Sequence, residues 1–108
     1  MVQMQFERHY ARRYSLHASI ELTDLQSETQ IREQTSDLSL FGCHVDTLKP
    51  LPAETKVRIR ISHRNENFEA LGKVTHSRSN AGMGILFTRI EPHHQSVLDK
   101  WIGELRGQ

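Results

Sequence analysis

The feature that most constrains this chain is a repeated alternation of apolar and polar residues over short runs. Leu16, Ala18, Ile20 and Leu22 alternate with Ser15, His17, Ser19 and Glu21. Val57, Ile59 and Ile61 alternate with Arg58, Arg60 and Ser62, and Met83, Ile85 and Phe87 keep the same period. Successive side chains of a strand point to opposite faces, so a period of two marks a sheet with one buried face. Cys43–Asp46 and the run through Phe68, Ala70 and Val74 add two more strands, with Gly72 as a candidate bulge. Residues 23–36 are polar, hold few anchors besides Leu25 and Ile31, and read as a loop with a weak strand around Thr29–Glu33. Asp37–Gly42 reads as a turn-rich stretch, His63–Asn67 as a hairpin loop and Arg78–Gly82 as a second turn.

The period then changes. Val97, Leu98, Trp101, Ile102 and Leu105 recur three to four residues apart, the spacing of one helix face, and Pro92 stands near the start, where its missing N–H costs little. Short strands followed by one amphipathic helix predict a mainly all-β fold: a small antiparallel six-stranded β-barrel with a C-terminal α-helix packed on it. Closure removes the strand edges that so small a sheet could not otherwise protect. A length of 108 residues fits one domain, here divided into a flexible arginine-bearing arm (residues 1–13) and a barrel plus helix (residues 14–108).

Composition narrows the function mainly by exclusion. Fourteen Lys+Arg against thirteen Asp+Glu leave a formal charge of +1, which selects no class of partner. The lone Cys43 can form neither an internal disulfide nor a cysteine-based zinc site, and reads as a small buried hydrophobe. No apolar run reaches the length of a signal peptide, or the roughly 18–20 residues of a membrane span. The expectation is a soluble, cytoplasmic domain. The seven histidines are scattered, without an HExxH or Cys/His cluster, so no metal site is expected. No P-loop, dinucleotide fingerprint or GxSxG elbow is present, and the chain is not expected to be an enzyme.

Two motifs occur together. Arg8-His-Tyr-Ala-Arg12 places two arginines four apart just before the first strand, and Asp37-Leu-Ser-Leu-Phe-Gly42 follows downstream. With Gly82-Met-Gly-Ile-Leu-Phe87 and Trp101-Ile102 in the terminal helix, they resemble the RxxxR, (D/N)xSxxG and GxGxxF signatures of PilZ domains, over nearly the whole chain. The resemblance implies a receptor for the bacterial second messenger cyclic di-GMP, with no cofactor and no chemistry done on the ligand. The usual outputs of such receptors are motility, biofilm and polysaccharide machinery, reached through a downstream protein partner. It assigns ligand contacts to Arg8, Arg12, Asp37, Ser39 and Gly42. Arg13 is a further candidate. It directly precedes Tyr14, and a register based on it would pair with His9 instead of Arg8.

These residue types suit the ligand. Guanine offers O6 and N7 to an arginine fork, and guanidinium can also stack on the purine face or grip a phosphate. The guanine N1–H and N2–H donors suit a carboxylate such as Asp37. Ser39 could donate to a phosphate oxygen, and Gly42 could admit a close approach. Plainer roles fit the same residues: Asp37 and Ser39 could simply brace a turn, and Gly42 could be a steric necessity. A PilZ-like interaction module that binds no nucleotide is one alternative. Another is a small barrel for single-stranded nucleic acid using Arg58, Arg60, Arg64 and Arg78, which the low net charge and few aromatics disfavour.

Overall fold

In the computed structural model, residues 11–107 are described. The alternating runs form strands β1 (Tyr14–Ser15), β2 (Ser19–Asp24), β3 (Gln30–Leu38), β4 (Gly42–Asp46), β5 (Lys56–His63), β6 (Glu66–Arg78) and β7 (Gly82–Arg89). Helix α1 (Pro92–Arg106) follows. Every pairing is antiparallel, in the order β1-β3-β2-β5-β6-β7-β4, and β4 pairs back onto β3. That last pairing closes a six-stranded barrel, with the two-residue β1 as an extra strand along β3. No described helix is long and apolar enough to cross a membrane.

The inward phase of each strand fills the barrel. Ile20, Leu22, Val57, Ile59, Ile61, Phe68, Val74 and Met83 are all fully buried. Burial of one such side chain is worth about 1.5–3 kcal/mol, so this interior is the main source of stability. The β5–β6 connection is a tight hairpin with positive φ at Arg64 (51°) and Asn65 (64°), the handedness that matches strand twist. Gly72 marks an irregularity, since the β6–β7 register shifts between Leu71 and Gly72. Pro92 begins α1, which lays Val97, Leu98, Trp101 and Ile102 on the barrel. Thr35 is a buried polar residue with a structural task. Its hydroxyl donates to the Leu16 carbonyl (2.5 Å) and accepts from the Ala18 N–H (3.0 Å), pinning the segment between β1 and β2 to β3.

The polar segment before the motif folds differently from the expected loop and short strand. β3 runs over Gln30–Leu38, so Asp37 lies in a strand and the turn is confined to residues 39–41. Few of its side chains are apolar because only Thr35 and Leu38 are fully buried, and pairing with β2 and β4 supplies the order that hydrophobicity does not.

Candidate functional site

β3 presents Asp37 through a break in its alternation. Thr35 and Leu38 are both buried, three residues apart, which an unbroken strand cannot achieve. The β3–β4 register passes from Thr35 opposite Val45 to Asp37 opposite His44, leaving Ser36 as the extra residue of a bulge. The bulge resets the phase, so that Leu38 enters the core while Asp37 stays half-exposed on the barrel surface.

Asp37 is held at one oxygen. Oδ1 accepts from Arg13 Nε (3.0 Å), pairs with Arg13 Nη2 (2.9 Å) and accepts the His44 backbone N–H (3.1 Å). Among the described residues no hydrogen bond reaches Oδ2. The side chains of Arg13 and Asp37 are 48% and 29% exposed, and a surface pair of this kind is worth about 0–1 kcal/mol. Its consequence is therefore positional: a guanidinium and a carboxylate are fixed side by side at a cleft.

Ser39 and Gly42 shape that cleft. The Ser39 hydroxyl is buried and turned onto its own loop, where it accepts the backbone N–H groups of Phe41 (3.1 Å) and Gly42 (3.2 Å). The Ser39 N–H donates to the Gly42 carbonyl (2.8 Å), completing the turn. A Cβ on Gly42 would overlap the Ile85 carbonyl of β7, so only glycine permits β4 and β7 to lie this close. Two of the three motif residues are thus occupied with the architecture that carries the third.

The arginines divide. Arg13 lines the cleft, whereas the Arg12 guanidinium lies 5.7 Å from the centroid of the Tyr14 ring. Arg8 and His9, their counterparts four residues back, lie outside the described residues. The cleft encloses about 350 Å³ and includes several residues that sequence reasoning missed: Phe41, His44, Thr75, His76, Gly84 and Leu86. Apart from Phe41 in the motif turn, they come from separate strands made adjacent by the β4–β7–β6 pairing. One signal was available for His44, the outward polar residue between inward Cys43 and Val45, directly after the motif.

Cys43 lies behind the site. Burial, reinforced by the Asp37 carboxylate and opposed by Arg13, pushes its thiol pKa up to about 12, so it stays protonated as part of the core. Among the described residues no group of three or more His, Cys, Asp or Glu could hold a metal ion. A larger depression of about 640 Å³ lies over the outer faces of β2 and β5. It contains none of the motif residues, and its Glu69 and Glu21 are paired with Arg60 (3.1 Å) and Arg32 (3.2 Å).

Comparison with known proteins bears on this site. A family model described as the PilZ domain matches residues 4–104. No curated protein matches the chain. Among solved structures, the PilZ domain of CeSA from a cellulose-synthesizing bacterium is similar, with a TM-score of 0.73 and 18% identity over 89% of this chain and 99% of that one. The PilZ domain of YcgR from Escherichia coli, solved with c-di-GMP, has a TM-score of 0.68 and 19% identity over 92% of each chain. The Bacillus subtilis inhibitor of motility (MotI/DgrA) has a TM-score of 0.65 and 16% identity over 87% of this chain and 48% of that one. At these identities the structural likenesses speak to the fold alone.

Proposed function

Because the chain belongs to the PilZ domain family by the match over residues 4–104, we propose that it is a receptor for cyclic di-GMP that binds the nucleotide in the Arg13–Asp37 cleft without catalysing a reaction. The observation that carries this reading is the fixed Arg13–Asp37 pair beside the motif turn. It offers a fork and a carboxylate at one place, and the ligand presents phosphate, guanine acceptors and guanine donors to match them. Support of a different kind comes from YcgR, whose PilZ domain was solved with c-di-GMP.

The site divides into direct and architectural roles. Asp37 accepts from a guanine N–H edge through Oδ2. Arg13, together with Arg12 and Arg8 from residues 1–13, supplies forks for guanine and phosphate. Ser39 and Gly42 belong to the site by fixing the turn and the approach of β4 to β7. Residues 1–13 act as an arm that closes on the ligand, and ordering of a segment is a common way to remodel a surface for a downstream partner. Signalling to motility, biofilm or polysaccharide machinery from the cytoplasm fits such a receptor.

The test is a calorimetric titration of the folded protein with cyclic di-GMP, using GTP and GMP as controls. Saturable binding of cyclic di-GMP in preference to both is expected. No binding at high micromolar ligand would remove the receptor function and leave an interaction module.

A further inference from the structure

Two imidazoles, half-buried His44 and exposed His76, lie along one side of the cleft. His44 of β4 and His76 of β6 both stand opposite Gly84 of β7, one on each side of it. Their ring centroids are 6.0 Å apart and their planes differ by 27°. β7 makes room for both. A Cβ on Gly84 would run into the His76 ring, and one on Gly82 would come within 2.8 Å of His44 Cε1. A second bulge contributes, because the β6–β7 register shifts between Val74 and His76. The two glycines of Gly82-Met-Gly84 therefore floor a trough in which two protonatable rings lie side by side.

The charges around this trough are balanced. Arg13 precedes β1 and Asp37 comes from β3, and these two are paired with each other. Asp46 Oδ1 of β4 lies 3.7 Å from His44 Nδ1, and Ser36 Oγ lies 3.0 Å from the same nitrogen. Arg78 is two residues beyond His76 on β6 and opposite Gly82, and the described β7 residues at the cleft carry no charge. With neutral imidazoles, Arg13 and Arg78 are thus offset by Asp37 and Asp46. Apart from the Arg8 and Arg12 forks proposed for residues 1–13, a ligand with two phosphodiesters therefore gains positive charge at the trough only when an imidazole takes up a proton. With Nδ1 of His44 engaged by Ser36, Nε2 is the nitrogen left to meet a ligand.

We infer that His44 and His76 form a second jaw of the nucleotide site, opposite Arg13, which takes up a proton as it grips a ligand phosphate. Two imidazoles this close repel one another when both are charged, and a phosphate between them removes that repulsion. Binding and protonation are therefore coupled, and the coupling is reciprocal: acid tightens nucleotide binding, and nucleotide binding draws in a proton. Histidine is the side chain suited to such coupling between about pH 5 and 8, whereas the phosphodiesters stay ionised throughout. This inference rests on the receptor function proposed above.

The experiment is a cyclic di-GMP titration at several pH values, with calorimetry in two buffers of different ionisation heat. Affinity is expected to rise roughly 5- to 20-fold from about pH 8 to about pH 5.5, in the range usual for coupled ligands. Net proton uptake should accompany binding near neutral pH. The double variant His44→Gln, His76→Gln should flatten the pH profile, whereas His93→Gln, at the exposed start of α1, should retain it. The two-buffer measurement needs no variant and decides the matter even if the double variant folds poorly. Binding at pH 8 with an equal affinity at pH 5.5 and no proton uptake would overturn the jaw while leaving the receptor intact. A pH dependence that survives in the double variant would overturn it as well. Absence of binding at every pH would overturn both.

Discussion

The two ends of β6 are built on opposite principles. Near its start, Phe68 lies against Phe87 (5.0 Å between centroids) and Trp101 (6.3 Å), beneath α1. Toward its far end, His76 lies over Gly84 beside His44, in a cleft held open by a bulge and lined by half-exposed polar groups. At the first end, large apolar side chains interlock, and stability follows from the area removed from water. At the second, pairs that each contribute little are placed by backbone irregularities and by glycines. The difference teaches that one strand can serve as core and as the wall of an open cleft when a bulge changes its phase between the two.

The widest separation between the ends is expected at Trp101, which is only 1% exposed. Trp101→Ala should cost about 3–5 kcal/mol of stability, read from chemical denaturation, with nucleotide affinity per folded molecule unchanged. A loss of affinity without a loss of stability would erase the contrast. Asp37→Ala should do the reverse. It should weaken cyclic di-GMP binding by about 1.5–3 kcal/mol, while melting shifts little because its ion pair is a partly exposed surface pair. If Asp37→Ala unfolds the protein instead, the carboxylate is a structural brace.

Gly42→Ala sits between the extremes, because the clash with the Ile85 carbonyl disturbs both the barrel and the cleft. Overpacking of this sort costs about 1–3 kcal/mol. Urea denaturation and ligand titration should both record a loss, and an unaltered pair of values would mean that β4 and β7 can part freely. The arginines sharpen the cleft side further. Arg13→Ala should cost about 1 kcal/mol or more of affinity, and Arg12→Ala less, since Arg13 is the one that meets Asp37. The opposite order in side-by-side titrations would return the clamp to the Arg8/Arg12 register.

The smallest effect belongs to the helix side. Glu66 Oε1 accepts from Lys100 Nζ (3.0 Å) and Trp101 Nε1 (3.4 Å). The Lys100 hydrogen bond leads in lowering the Glu66 pKa below the usual carboxylate range. A carboxyl lowered on folding adds stability that is full above its ordinary range and is lost as pH falls through its lowered value. Glu66→Gln should therefore narrow the stability difference between neutral and acidic pH only slightly. A large change in pH-dependent melting would show that the Glu66–Lys100 contact fastens α1 far more firmly than an exposed pair can.

Much of the fold was legible along the chain, and the reasons are local. β2 and β5 declare themselves because each buries one face, β7 because Met83, Ile85 and Phe87 keep a period of two, and α1 because its apolar stripe repeats at helical spacing. β3 was harder, because its exposed stretch carries no alternation and its order comes from neighbours on both sides. At the site, Asp37, Ser39 and Gly42 were marked by their spacing, but nothing local distinguished the residue that faces the cleft from those that frame it. The bulge at Ser36 made that distinction by moving Asp37 outward while Leu38 turned in.

By itself, then, the sequence determined the periodicities, the family motifs and the apolar face of the helix, since each depends on residues a few positions apart. Only the tertiary structure decided which of two adjacent arginines meets Asp37, and that His44 and His76 meet over one glycine. Those contacts join residues 24 or more positions apart, or depend on the phase of a bulge. Side-chain periodicity cannot encode them, because they follow from barrel closure and from which strand lies beside which.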